Sequence, residues 1–378
     1  MRHFVRAFLG ASVVAFGAAG IGCAGSEDAS EDVPVWRLEE IARVGGSDEG
    51  LGSFNVIGDL QLAPDGRLWV LDRQVQSLRL FDADGAPLRE VARRGAGPGE
   101  LGKVAGFRLA PGGGVVVRDY ANGRILRFTA EGESAGEQRS DLFGGANWDG
   151  MVDAEGRTLE LVTVFRGKEQ SELMQLRRSA DLRSADTAAF PAACRIERDD
   201  RNSIVFKGGF VYTVPLTARS VSAFADDGAL WCGSTDEYRL MRFAFGDTVP
   251  ELEVRGDGMR LPIAPSARDS ALRILGSALA KGGSGAARPD ASLLPTEHGP
   301  VHALLTDDER RLWVLRGAAG GRLALDVWDP SGRRVATVPT VMSAESPPIV
   351  RVQGDRIALV VLDADDLPTI VVARIVRP

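Results

Sequence analysis

From Leu62 onward, short apolar runs and polar turns alternate along the chain, and the alternation repeats. The stretch Leu62-Ala63-Pro64-Asp65-Gly66-Arg67-Leu68-Trp69-Val70-Leu71-Asp72 has a near copy in Leu109-Ala110-Pro111-Gly112-Gly113-Gly114-Val115-Val116-Val117-Arg118-Asp119. Each copy passes through a short polar gap into a second apolar run, Leu78-Arg79-Leu80-Phe81 or Ile125-Leu126-Arg127-Phe128. Each run then ends on a turn, Asp82-Ala83-Asp84-Gly85 or Thr129-Ala130-Glu131-Gly132. Apolar and polar positions with period two mark antiparallel strands. The Asp-Gly and Gly-Gly pairs supply the positive φ that tight hairpins need. The unit is therefore strand, glycine turn, strand, short loop, strand, glycine turn, strand.

The first turn of the unit recurs at Gly66, Gly113, Gly156, Gly228, Arg310 and Gly354, at intervals of 47, 43, 72, 82 and 44 residues. Three intervals fit a four-stranded blade of roughly 40–50 residues. The two long ones carry insertions, residues 190–217 and 262–300. Arg310 stands where the other copies have glycine, and Arg311-Leu312-Trp313-Val314 restores the register. Six turns predict an all-β chain: a six-bladed β-propeller of four-stranded antiparallel blades. After Gly354 only Arg356–Leu362 and Thr369–Val376 remain as strands, so the last blade lacks its fourth. Residues 33–44, with Val35, Leu38, Ile41 and Val44 apolar, are expected to supply it and close the ring, removing an open edge.

The second insertion predicts one helix before blade five. Pro265-Ser266 opens it, with Asp269 three residues on as in a capping box. Ala271, Leu272, Leu275 and Leu279 share a face, and Lys281-Gly282-Gly283 ends it. Such a helix is a candidate lid or partner contact. Trp69, Trp231 and Trp313 hold one repeat position in three copies, which predicts packing between blades.

The N-terminus has another purpose. Arg2 and Arg6 precede an apolar stretch, Ala7 to Ile21, that is too short for a comfortable membrane span. It leads into Ala19-Gly20-Ile21-Gly22-Cys23, which resembles a bacterial lipoprotein signal. The resemblance implies a signal peptide over residues 1–22, lipidation of Cys23, and an exported protein anchored to a bacterial membrane, facing the periplasm or the cell exterior. Residues 23–32 are small, polar and acidic and read as a flexible tether to a propeller spanning 33–378. Loss of Arg2 and Arg6 takes the formal charge of −7 to −9, and no basic face suggests a nucleic-acid partner. An oxidising compartment permits a disulfide between Cys194 and Cys232; two separate thiols are the alternative.

Ala63-Pro64-Asp65-Gly66-Arg67-Leu68-Trp69-Val70, taken with Gly95-Ala96-Gly97-Pro98-Gly99-Glu100-Leu101, is similar to bacterial six-bladed β-propellers related to NHL repeats. That resemblance implies the fold for nearly the whole mature chain and no particular activity.

The chemistry-bearing residues are few. After Cys23 only His298 and His302 are histidines. There is no Gly-x-Ser-x-Gly elbow, no His-Glu-x-x-His and no Cys-x-x-Cys. Asp82-x-Asp84 and Asp363-x-Asp365-Asp366 lack the downstream acid of a calcium loop and read as turn chemistry. The channel mouth is the favoured site, with Asn55, Lys103, Asn147, Arg219, His302 and Ser346 at the starts of the innermost strands. The leading expectation is a monomeric binding or scaffold protein for a protein, peptide or glycan of the envelope. The alternative is a metal-dependent hydrolase, because six-bladed lactonases resemble this architecture and hold a metal with Glu, Asn and Asp. Asn147 would be its amide ligand. No cofactor is expected; calcium or zinc in the channel would point to the hydrolase instead.

Overall fold

The computed structural model describes residues 33–46, 50–139, 148, 150–166, 170–181, 183–199, 201–206, 211–281 and 289–378. Within them, six four-stranded antiparallel sheets follow one another along the chain. Blade 1 is Ile57–Leu62, Leu68–Asp72, Ser77–Phe81 and Pro87–Ala92. Blade 2 is Val104–Leu109, Val115–Asp119, Arg124–Phe128 and Ser134–Arg139. Blade 3 runs from Gly150–Val152 to Ala185–Ala189, blade 4 from Ser220–Phe224 to Leu252–Arg255, and blade 5 from Val301–Thr306 to Arg334–Ser343. Each first strand is innermost. The innermost strands touch their neighbours all the way round, blade 6 meeting blade 1.

Closure follows the sequence expectation. Blade 6 orders as Val350–Gln353, Arg356–Leu362 and Pro368–Val376, with the N-terminal Arg37–Gly45 outermost and antiparallel to the last. The first and last described strands thus share one sheet, and Arg37–Gly45 covers the edge that Pro368–Val376 would otherwise leave open. The register shifts between Glu40 and Ala42. Ala42 and Val44 are therefore buried and Ile41 only partly so. Val35 is exposed, and its neighbour Trp36 takes the inward place. The Trp36 amide donates to the Thr337 carbonyl at 3.0 Å, and its ring meets Trp313 edge-on at 5.9 Å. The segment before the closing strand is thereby fastened to blade 5 as well as blade 6.

The turns behave as their residues dictate. Gly66, Gly113, Gly156, Gly228 and Gly354 all have positive φ, and so does Arg310, at 61°. At this position the hairpin demands the left-handed region whichever residue occupies it. The Asp82 carboxylate accepts the Asp84 and Ala86 amides, and Asp363 accepts those of Asp365 and Leu367. These acids are spent on their own turns.

Packing lies between blades. Trp69 joins blade 1 to blade 2, Trp231 joins blade 4 to blade 5, and Trp313 joins blade 5 to blade 6, each fully buried. One large flat side chain at a fixed repeat position buries much area against the next sheet. Buried polar groups reinforce the same interfaces. Glu160 of blade 3 accepts from Arg118 of blade 2 at 2.7 Å and from Arg178 of its own blade at 3.0 Å. Asp326 of blade 5 accepts from the Tyr238 hydroxyl of blade 4 at 3.0 Å. Burial first, and the Asp326 carboxylate second, hold the Tyr238 phenol well above its ordinary pKa.

The two insertions meet. The first carries a short turn of helix, Ala192–Cys194, and a hairpin, Ser203–Val205 with Val211–Thr213. The second carries helix α1, Pro265–Lys281, on a stem in which Leu261–Pro262 pairs with Glu297–His298. Ala271 of α1, Val214 and Leu294 form one buried cluster, with Ile204 and Leu272 packed against it. The insertions therefore make one module rather than two decorations. Pro265 is the first helical residue, a position that its fixed φ favours. Ser266 consequently lies inside the first turn, and the capping box expected from Ser266 and Asp269 is not formed.

Candidate functional site

The six innermost strands enclose a central channel of about 860 Å³. Its two ends differ in charge. At the inter-blade end, where the strands begin, lie Arg73, Arg219 and His302; at the hairpin end lie Asp226, Asp307 and Asp308. The acids are engaged. Asp307 accepts from the Arg311 guanidinium and the Trp313 indole, both at 2.7 Å. Asp226 pairs with Arg310 at 2.8 Å, and Asp308 accepts the Gly354 amide.

Within the wall sits a charged belt that spans three blades. Asp59 accepts from Arg351 of blade 6 at 2.6 Å and from Arg108 of blade 2. Arg108 also donates to the Trp148 and Gly150 carbonyls of blade 3 side. Gln61, Arg108 and Arg351 hold equivalent places, opposite Trp69, Val116 and Ala358, the second residue of each next strand or its neighbour in register. The belt is a structural clasp: its donors are saturated by the wall itself.

The inter-blade mouth is built differently. The Thr235 hydroxyl accepts the Arg219 amide at 3.1 Å, and the Thr235 carbonyl accepts the Val301 amide at 3.2 Å. One loop residue of blade 4 thus fixes the entries of two strands. The Arg219 Nη2 donates to the His302 carbonyl at 3.1 Å. His298, on the insertion stem, lies with its ring 5.5 Å from that of His302. His302 is 9% exposed, and its Nε2 is buried without a hydrogen-bond partner. Burial, then the charges of His298 and Arg219, push the His302 pKa down to about 4. His298 is lowered too, chiefly by burial, with Glu345 acting in the opposite direction.

The comparisons bear on the fold. A family model described as a 6-bladed β-propeller matches residues 54–163. The chain is a six-bladed β-propeller. A solved member of the DUF4221 family from Bacteroides vulgatus is similar at 10% identity and a TM-score of 0.55, covering 91% of this chain and 98% of that one. A Bacteroides fragilis protein described as exported is similar at 13% identity and a TM-score of 0.50, covering 91% and 97%. Identities this low speak to the propeller alone. No curated protein matches the chain.

The propeller brings together only some of the residues expected at its mouth. Arg219 and His302 line the channel. Asn55 and Lys103 are exposed and lie outside the lining. Their amides instead bond the Asp72 and Asp119 carboxylates, which holds the chain at the rim just before the strands begin. Ser346 is buried and donates nothing to the channel; its hydroxyl accepts the Ser343 amide at 3.1 Å. Asn147 and Cys23 lie outside the described residues. Cys194 and Cys232 are joined in a disulfide with a Cα–Cα separation of 5.7 Å, which ties the first insertion to the second strand of blade 4. Among the described residues no three His, Cys, Asp or Glu side chains cluster to hold a metal ion.

Sequence reading missed the belt. Asp59 and Gln61 alternate with Ile57, Leu60 and Leu62 in an otherwise apolar strand. Polar residues in a strand with buried neighbours on both sides were the available signal.

Proposed function

We propose that this propeller is an exported binding protein, tethered to a bacterial membrane through a lipid on Cys23, which takes part of an envelope ligand into its central channel. The observation that supports binding is the channel mouth. It is a concavity of ligand size where a few polar groups converge, one of them a buried imidazole nitrogen lacking any partner. The fused insertion module lies at the same entry, because the stem carrying His298 is one of its strands. The ligand classes consistent with this are peptide and glycan. The metal-dependent hydrolase reading has no comparable support.

A thermal-shift screen of the soluble mature propeller against peptides and glycan fragments tests the channel. Ser222 lines the wall, so Ser222→Trp is expected to abolish any shift that the unmodified protein shows. Met151→Trp on the adjoining blade 3 repeats the test should the first variant misfold. Ligands whose shifts survive both replacements bind elsewhere and refute the channel. Cys23→Ser is expected to move the protein from the membrane fraction to the soluble one; retention on the membrane refutes the lipid tether.

A further inference from the structure

We propose that the anchored propeller turns its hairpin face toward the membrane and presents the inter-blade mouth, with the insertion module, to the aqueous compartment, so that its ligand arrives from solution. This rests on the lipid at Cys23 proposed above and adds which face of the ring does the binding.

The chain enters the ring at the hairpin face. The Pro34 carbonyl accepts the Thr337 amide at 2.9 Å, and the Trp36 amide returns the bond at 3.0 Å. The Trp36 ring lies under two guanidinium groups, Arg377 at 4.9 Å and Arg311 at 5.6 Å. Arg377 donates to Glu309 at 3.0 Å, and Glu309 and Arg311 both belong to the first hairpin turn of blade 5. Arg37 then pairs with Val376, at the end of a strand whose Arg374 pairs with Arg356, the residue that opens the second strand of blade 6 after its Gly354 turn. Two backbone bonds and a ring flanked by cations hold the entry in place.

The insertion module leaves from the opposite face. The first insertion joins Ala189, at the end of blade 3, to Ser220, where blade 4 begins. The second joins Arg255 to Val301, where blade 5 begins. Both are inter-blade connections. The Met259 amide donates at 3.1 Å to the Gly317 carbonyl, at the inter-blade end of the second strand of blade 5. The innermost strand Val301–Thr306 separates the two faces by six residues, about 20 Å of strand.

Chain length selects between the two orientations. Cys23 lies eleven residues before Pro34. A chain of that length reaches about 36–40 Å drawn straight and spans about 17–20 Å on average as a coil. For the mouth to meet the bilayer, the chain has to run back along about 20 Å of ring and past the width of α1, about 10 Å more. That takes about three quarters of its full reach, well beyond the span of a coil, whereas the hairpin face meets the bilayer with no stretching. The mouth therefore stands off the membrane by the thickness of the ring. A soluble peptide or glycan reaches it; a lipid of the leaflet that holds the anchor does not.

The test reconstitutes the full lipidated chain in vesicles of phosphatidylethanolamine and phosphatidylglycerol that carry an energy acceptor on their headgroups. A donor dye is placed on single added cysteines at exposed positions: Asp84→Cys on the hairpin face of blade 1, Gln74→Cys on the inter-blade face of the same blade, and Ile274→Cys on α1. Cys194 and Cys232 are bonded to each other and do not take the dye. The expected result is a larger loss of donor fluorescence at position 84 than at 74 or 274. Ser331→Cys, on a hairpin turn of blade 5, replaces Asp84→Cys should that variant misfold. Inserting about 20 Gly and Ser residues after Asp32 is expected to shrink the difference, because a longer tether lets either face approach. Equal losses on the two faces, a larger loss at 74 or 274, or a difference that the longer tether leaves untouched overturns the proposal. The anchor and the orientation fail separately. Cys23→Ser is expected to leave the vesicles and lose all transfer; a variant that stays bound with transfer intact refutes the lipid. A chain that needs Cys23 for binding but shows reversed losses refutes the orientation and leaves the lipid.

Discussion

Asp59 is the residue whose loss the ring should feel most. Its side chain is 8% exposed and accepts from Arg351 and Arg108, which are 27% and 14% exposed and belong to the blades on either side. Asp59→Ala removes the shared acceptor and leaves two guanidinium groups facing each other in a partly dry wall. Breaking a buried pair by deleting one partner costs about 3–5 kcal/mol. The retained backbone contacts of Arg108 and the partial exposure of Arg351 place the cost near the low end, about 3 kcal/mol. An unfolding entropy of roughly 2.1 cal/mol/K per residue over a propeller of this size converts that to a fall in Tm of about 4 °C. Equilibrium urea unfolding and calorimetry measure it directly. A double-mutant cycle with Arg351→Ala should return a coupling of about 2 kcal/mol, because the second arginine then no longer needs Asp59. A loss below about 1 kcal/mol for Asp59→Ala, or a cycle that sums additively, refutes the clasp.

Three further outcomes follow from single sites. Reducing Cys194–Cys232 opens a link across a sequence separation of 38 and should cost about 4 kcal/mol on the chain-entropy relation; denaturation with and without reductant reads it, and an unchanged midpoint refutes it. Arg310→Gly relieves a side chain held at φ 61° and should raise stability by roughly 0.5–1 kcal/mol, the exposed pair with Asp226 offsetting little; a lower Tm refutes it. His302 has a folded pKa of about 4 against 6.5 for the free side chain, so the unfolded chain binds the extra proton between those values. Stability should therefore fall as pH drops from 6.5 to 4, by about 3 kcal/mol in total, and level off below. Unfolding curves across that range check it, and His302→Gln should remove the larger part of the slope, leaving the share of His298, which is lowered in the same direction.

The propeller was legible because its information is local and repeated. Gly66 and its equivalents announce a hairpin wherever they occur, and Arg310 kept the count through Leu312-Trp313-Val314. The closing strand was legible for a different reason: the last blade was one strand short. Its apolar positions did not give its inward face: Val35 is exposed beside the buried Trp36, and the register shift after Glu40 buries Ala42 and Val44 and leaves Ile41 only partly buried. The channel mouth was read from repeat position alone. Position says where a strand begins; it does not say that Asp72 and Asp119 will take the amides of Asn55 and Lys103 at the rim. Nor does it say that Asp59 will find two arginines from residues 49 and 292 positions away. Contacts of that sequence separation are set by ring closure.

Ring closure also explains why polar residues appear in a wall that packing alone would make apolar. The apolar clusters between blades resist separation, but they are non-directional and tolerate sliding of one sheet over the next. Hydrogen-bonded charges are directional. Asp59 fixes blades 6, 1 and 2, Glu160 fixes blade 2 to blade 3, and Asp326 with Tyr238 fixes blade 4 to blade 5. In every one of these the buried carboxylate has its donors. The channel lining is less complete elsewhere: the His302 Nε2 and the Trp148 Nε1 are buried without hydrogen-bond partners. Directional clasps at these interfaces hold the blades in register around the channel, while the apolar clusters supply the bulk of the cohesion.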